Sequence, residues 1–294
     1  MTDWSYIAFA PDGTLYHLSI NEGLVAVSTE DGTRTPVPWM KARWANFSPK
    51  DFAFDAQGRL VTVDCTYNHV ARFDLEVETM EVLWQGIGNT RALATAPDGT
   101  IHLGVSNPRL RGSGQVAALD AEGDPVIVFD GLLPEVEGLA FDAGGTAYIV
   151  ATGEVSGAIR SRVYAATPTG ITETLALLPA TGFDLAFDPR SGPLWGGAPH
   201  GLWVLNESGD VHEVALDVGE GFVESLTYTP QGELYVHMVT SDLWSKPVTQ
   251  GLYRVATSTP YTTKLVADLS TVDMCCPLNR IGAGADGAIY VVGF

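Results

Sequence analysis

One phrase of about fourteen residues recurs along the chain and limits the fold more than any other feature. In each copy, alternating apolar residues lead into a short turn that contains glycine, and a second alternating stretch follows. The turn glycines lie about 40 to 55 residues apart: Gly13, Gly58, Gly99, Gly145, Gly192, Gly232 and Gly287. Three residues after each glycine come Tyr16, Val61, His102, Tyr148, Trp195, Tyr235 and Tyr290. Period-two alternation on both sides of a turn predicts a β-hairpin, here called A–B.

A second hairpin, C–D, lies between successive copies, for example GLVAVSTEDGTRTPV and HVARFDLEVETMEVL. Four-stranded units repeated at this period are typical of a β-propeller. We therefore predict an all-β fold, one propeller domain over residues 1–294 with four-stranded antiparallel blades. Seven A–B hairpins but only six C–D hairpins are present. Seven blades are favoured, the last one short and completed by Met1–Trp4, and six blades are the alternative.

Composition excludes some classes of partner. The formal net charge is −19, and phosphate binding needs clustered lysine and arginine, so we expect no nucleic-acid partner. No apolar run approaches the roughly 20 residues of a membrane span. The N-terminal residues lack the pattern of a secretory signal, which predicts a cytoplasmic protein.

The segment VDCTYNHVARFD resembles the NHL repeat, in which an Asp, an Asn-His pair and an apolar residue link strands B and C. The matching residues are Asp64, Asn68, His69 and Val70. The A–B phrase also resembles the gluconolactonase (regucalcin-like) and virginiamycin B lyase propellers. In the gluconolactonase-like enzymes, metal ligands stand just before strand A as Glu-Gly, Asn-Gly and Asp-Gly pairs. Only Glu137-Gly138 reproduces such a pair here.

The loops that join D to A and B to C vary in length, and we place the site on the face that they form. Variable loops on a rigid scaffold commonly carry binding residues. Ten of the sixteen basic residues lie in or beside these loops, which favours an anionic or carboxylate-bearing small molecule. Simple loop polarity is the alternative. Aromatic side chains in the same loops predict a lined pocket or, alternatively, plugs that anchor the loops. The predicted substrate-binding residues are Trp39, Trp44, Tyr67, His237, Trp244, Cys275 and Cys276.

Ionisable residues at the start of strand A point toward the mouth of the central channel. The resemblance and this position together make Glu137, Glu224 and Asn279 candidate ligands for Ca²⁺, a cation that takes six to eight oxygen ligands. A network of ion pairs closing the channel is the alternative. The predicted catalytic residues are Asp184 and His200 as bases, with Arg91 and Arg280 beside them.

Cys275 and Cys276 are adjacent in a loop near the predicted mouth. They could form a vicinal disulfide, bind a soft metal with Cys65, act through a thiolate, or remain free and buried.

These features favour a small-molecule enzyme at the mouth, a metal-dependent hydrolase of lactonase type acting on an anionic substrate. A metal-free lyase or cyclase with an arginine- and aromatic-lined pocket is one alternative. A binding scaffold of NHL type without catalysis is another. The enzyme hypotheses and the binding scaffold predict different surfaces, because catalysis needs a deep pocket, whereas binding of a partner needs a broad face.

Overall fold

The structure is a computed structural model, and the regular elements of its described residues are almost all β-strands. It describes residues 5–19, 22–40, 49–64, 69–85, 90–106, 113–167, 170–178, 184–188, 193–198, 201–206, 209–216, 221–240, 249–258, 261–269 and 281–291. Within these ranges no helix is long and apolar enough to span a lipid bilayer.

The strands fall into sheets in chain order. Blade one is β1 (Ser5–Phe9), β2 (Leu15–Ser19), β3 (Gly23–Val27) and β4 (Arg34–Pro36). Blade two is β5 (Pro49–Phe54), β6 (Leu60–Asp64), β7 (His69–Asp74) and β8 (Thr79–Gln85). Blade three is β9 (Thr90–Thr95), β10 (Ile101–Ser106), β11 (Gly114–Leu119) and β12 (Pro125–Leu132). Blade four is β13 (Glu135–Phe141), β14 (Ala147–Val155), β15 (Ala158–Thr167) and β16 (Gly170–Leu178). Blade five is β17 (Leu185–Phe187), β18 (Leu194–Ala198), β19 (Gly201–Leu205) and β20 (Val211–Val214). Blade six is β21 (Phe222–Tyr228), β22 (Leu234–Thr240), β23 (Thr249–Val255) and β24 (Thr263–Asp268). The last sheet is β25 (Ile281–Ala283) and β26 (Ile289–Val291).

Among the residues that the structure describes there are six four-stranded antiparallel blades, so the predicted alternative of six is found and the favoured number of seven is not. The seventh A–B hairpin forms a separate two-stranded sheet, β25–β26. The first strand of each sheet contacts the first strand of the next, and β25 contacts both β21 and β1. The two-stranded sheet therefore lies between blades six and one and closes the ring. Residues 1–4, expected to complete it, lie outside the described ranges.

The A–B turns owe their shape to glycine. Gly13 has φ +86°, a value that residues with a Cβ rarely adopt. Its N–H donates to the Ala10 carbonyl over 2.9 Å, while Asp12 Oδ1 accepts the Thr14 N–H over 2.8 Å. The same backbone bond and a positive φ recur at Gly58, Gly99, Gly145, Gly232 and Gly287. Six of the seven predicted turns are thus confirmed, and Gly192 lies outside the described residues.

The core lies between the blades. Five clusters of buried apolar side chains each join one blade to the next, from blades one and two to blades five and six. At four blade junctions the ring of the repeat residue in strand B packs on a phenylalanine in the first strand of the next sheet, and Trp195 packs on Tyr261 instead. Tyr148 stacks on Phe187 with centroids 5.2 Å apart, and His102 lies 4.7 Å from Phe141. Burial lowers the pKa of His102, so its imidazole is a neutral core ring.

Candidate active site

The first strand of each sheet lines the centre of the ring and is here called the inner strand. The inner strands all begin on one face of the ring and end on the other. At the far end, Thr95 Oγ1 donates to the Phe54 carbonyl over 3.3 Å, which joins the last residues of β9 and β5. At the near end, Asp184 contacts Ser225 of blade six. Neighbouring inner strands are therefore parallel, and their first residues surround one mouth of the ring.

Four inner strands carry a β-bulge at this mouth. The pairing between strands A and B skips one residue in each: Lys50, Arg91, Glu137 and Glu224. A bulge places two residues of one strand opposite one residue of its partner and redirects a side chain. The sequence placed these same four residues at the start of strand A. For Lys50 and Arg91 the structure describes the backbone position alone.

The residue after the bulge has a different role. Asp51 holds this position in blade two, and Asp184 stands at the equivalent place in blade five, three residues before the last residue of its strand. Each accepts the next backbone N–H through Oδ1 over 2.9 Å. Each also accepts a bond from strand B through its main-chain carbonyl, from Thr62 Oγ1 over 2.8 Å and from the Gly197 N–H over 3.0 Å. Asp184, predicted as a base, thus lies at the mouth with hydrogen bonds that fasten the start of its strand.

Glu224 and His237 bring a carboxyl and an imidazole together on this face, as Asp64 and His69 also do in blade two. Glu224 and Ser225 together oppose His237, because the register shifts between Val223 and Ser225. Glu224 Oε2 lies 3.6 Å from His237 Nδ1. The Glu224 side chain is 8% exposed and that of His237 is 0% exposed. Glu224 is therefore the member of the pair that a molecule at the mouth would meet first.

The pair lies on the side of blade six that faces the last sheet. Val236 and Met238 belong to the core between blades five and six, and side chains alternate along a strand. His237, between them, therefore points toward β25–β26.

Burial raises the pKa of Glu224 from 4.5 to about 8. Burial disfavours the charged form of a carboxyl, and Oε2 accepts no hydrogen bond from any described residue. Near neutral pH the carboxyl of Glu224 is accordingly protonated for most of the time. A carboxyl that carries a proton at pH 7 beside an imidazole is a typical arrangement for proton transfer.

Calcium would need more ligands than the described residues bring together. Glu224 Oε2, buried and without a hydrogen-bond donor, is an atom that a cation would satisfy. Among the residues whose placement is described, however, no three His, Cys, Asp or Glu side chains cluster. Asn279, the third expected ligand, lies outside that set. The described donors therefore do not complete a calcium shell of six to eight oxygens.

Trp39 is anchored on the core. Its ring lies 6.2 Å from that of Phe73 in blade two, and Met40 beside it is fully buried. The tryptophan packs against the cluster between blades one and two, as expected for a residue that anchors a loop. Its predicted role in substrate binding is not tested by this contact.

The remaining predicted site residues lie outside the described ranges and stay predictions. They are Trp44, Tyr67, His200, Trp244, Cys275, Cys276, Asn279 and Arg280. The sequence analysis selected Glu224 as a metal ligand and His237 as a substrate contact, and it missed that the two side chains lie next to each other. The sequence did contain a signal of the bulges, because the four bulge residues share one spacing. Each stands four residues before the last residue of its inner strand: Lys50, Arg91, Glu137 and Glu224.

Comparisons with known proteins support the fold. No family model matches the chain, and no curated protein matches it in sequence. A streptogramin B lyase superposes with a TM-score of 0.66 at 13% identity, over 98% of this chain and 89% of that one. A virginiamycin B lyase from Staphylococcus aureus, a catalytically inactive histidine-to-alanine variant with quinupristin, gives 0.60 at 14%, over 84% and 78%. A gluconolactonase from Xanthomonas campestris gives 0.56 at 19%, over 80% and 83%.

The predicted resemblance to gluconolactonase and virginiamycin B lyase propellers is thus confirmed in three dimensions. At these identities the likeness shows the propeller fold alone. Chemistry has to be argued from the residues at the mouth.

Proposed function

We propose that the chain is an enzyme that opens an ester or lactone at the mouth of the propeller, as a hydrolase or a lyase. The observation that carries this proposal is the buried pair of Glu224 and His237, 3.6 Å apart. The carboxyl is held protonated near neutral pH by its burial. Solved propellers named as lyases and as a gluconolactonase share the fold, which supports the same reaction class.

One proton shared by the pair accounts for the chemistry. His237 accepts the proton of Glu224, and the carboxylate that results takes a proton from water or from a carbon next to a carbonyl. Hydroxide addition to the carbonyl gives hydrolysis, and loss of the carbon-bound proton gives elimination. In both cases the C–O bond breaks, and Glu224 delivers the proton it took to the leaving oxygen. His237 then returns the first proton, which restores the pair.

The substrate is expected to carry a negative charge. Lys50 and Arg91 hold, in blades two and three, the bulge position that Glu224 holds in blade six. A chain with 35 acidic and 16 basic residues thus has two cationic residues at equivalent places around one mouth. The acidic residues at this position, Glu137 and Glu224, belong to blades four and six, so positive charge that would attract an anion is confined to the side of the mouth formed by blades two and three. We assign Lys50 and Arg91 to an anionic group of the substrate.

A calcium-assisted lactonase is the second candidate. The buried Glu224 Oε2, which accepts no hydrogen bond from the described part of the chain, favours it. Glu224, Glu137 and Asn279 would hold the ion, which would polarise the substrate carbonyl. Both candidates use the same mouth, and they differ in what Glu137 does.

The test is an activity assay with two probes, a lactone that carries a free carboxylate and the uncharged gluconolactone. We expect ring opening of at least one probe by the wild type. Glu224→Gln should lose most of it, and the exposed control Glu213→Gln should keep it. If Glu137→Gln loses activity together with a bound calcium seen by calorimetry, the calcium-assisted candidate is correct. A wild type inactive on both probes contradicts the proposal and leaves a binding scaffold.

A further inference from the structure

Asp184 reaches from blade five into blade six. Its Oδ2 accepts the Ser225 hydroxyl over 3.3 Å and the Leu226 backbone N–H over 3.2 Å. Its Oδ1 accepts the N–H of Leu185 in its own strand over 2.9 Å. One carboxylate thus holds the first residues of two neighbouring inner strands together.

Ser225 extends this link to the last sheet. Its hydroxyl, almost completely buried, donates to Asp184 and accepts the Ile281 N–H over 3.2 Å. The Ser225 hydroxyl in β21 thus bonds both Asp184 of blade five and Ile281 of β25. Hydrogen bonds to an ionised carboxylate are about twice as strong as those between neutral groups.

The residues that Asp184 holds are those of the bulge. Ser225 follows Glu224 directly, and both oppose His237. The equivalent bulge of blade four, at Glu137, is followed by Gly138, which has no side chain to be held. The bond through a side chain after the bulge thus stands next to Glu224 and His237, and Gly138 offers no side chain for a bond of this kind.

We propose that Asp184 is a positioning residue that fixes the bulge at Glu224 and so keeps the carboxyl of Glu224 against His237. This inference rests on the proposed function, in which Glu224 carries the proton. Asp184 then affects the reaction through the position of Glu224 and does not itself contact the substrate.

A double-mutant cycle tests the proposal with the same two probes. Asp184→Asn keeps the size of the side chain but replaces one acceptor oxygen by a donor. We expect kcat to fall by about tenfold or more with KM little changed. In a Glu224→Gln background the same change should have almost no further effect, because coupled residues are not additive. Equal losses in both backgrounds would overturn the proposal.

Asp142→Asn is the matched control, because the Asp142 carboxylate also accepts two N–H bonds, from Gly144 and Thr146, but lies in the A–B turn of blade four on the other face of the ring. It should leave kcat near that of the wild type while lowering stability to a similar degree. Amide hydrogen exchange gives a readout without a substrate. Asp184→Asn should speed exchange at Leu226 and Ile281, and unchanged protection there would also overturn the proposal. Faster exchange in a protein inactive on both probes would instead show that the proposed function is what fails.

Discussion

Tyr290 of the last sheet packs edge-on against Phe9 of blade one, with ring centroids 5.5 Å apart and an interplanar angle of 70°. The two residues are 281 positions apart in a chain of 294. The contact repeats the one that Tyr16 makes with Phe54 between blades one and two. The two-stranded sheet therefore contacts blade one through a tyrosine–phenylalanine pair, the same kind of contact that joins blade one to blade two.

This closure should be measurable as a coupling energy. Aromatic pairs contribute roughly 0.5–1.5 kcal/mol beyond their buried area. In a double-mutant cycle of Tyr290→Ala and Phe9→Ala, urea unfolding should give a coupling in that range. The same cycle on Tyr148 and Phe187 is the internal comparison. A coupling near zero for the first pair alone would show that the ring is not closed through this contact.

Gly196 should not tolerate a side chain. A Cβ at this position would overlap the indole ring of Trp203, and that ring is buried among core side chains. We expect Gly196→Ala to lower the free energy of unfolding by roughly 1–3 kcal/mol, the usual range for overpacking. Gly144→Ala is the control, because its Cβ would meet only the tip of the Asp142 carboxylate, at 3.2 Å. Equal stability of the two variants in urea would contradict this packing.

Much of the fold was predictable, because its signals are local in sequence. Gly13 and the five described glycines like it determine turns, and alternation determines which side chains enter the core. The number of strands in the last sheet was not predictable. It depends on which segments pair with β26, and the sequence left seven and six blades open. The structure shows six four-stranded blades, with the last hairpin as a separate sheet.

The candidate site was predictable only residue by residue. Glu224 and His237 were both selected, but as a metal ligand and a substrate contact. Their pairing depends on a bulge, and a one-residue shift in register is not visible in a period-two pattern. Asp184 was selected as a base. Its bonds to Ser225 and Leu226 join residues about 41 positions apart, which no local pattern reveals.

Glu224 should make the protein less stable as the pH rises. The folded protein keeps a proton up to about pH 8 that the unfolded chain releases near pH 4.5. The stabilisation that this proton gives the folded state is therefore fully present below about pH 4.5 and is lost as the pH rises through about pH 8. Between pH 5 and pH 9, urea unfolding should show a fall of roughly 3–4 kcal/mol for the wild type relative to Glu224→Gln. Parallel pH dependences of the two proteins would show that Glu224 ionises freely in the fold.

The most direct test of the central claim is the pH dependence of kcat/KM for opening of the probe that the enzyme accepts. If Glu224 takes the reacting proton as a carboxylate, kcat/KM should rise about tenfold per pH unit up to about pH 8 and level off above it, because Glu224 loses its own proton there. Glu224→Gln should remove most of the activity and the rise with it. A kcat/KM that stays constant from pH 5 to pH 9, or a fully active Glu224→Gln variant, would contradict the account.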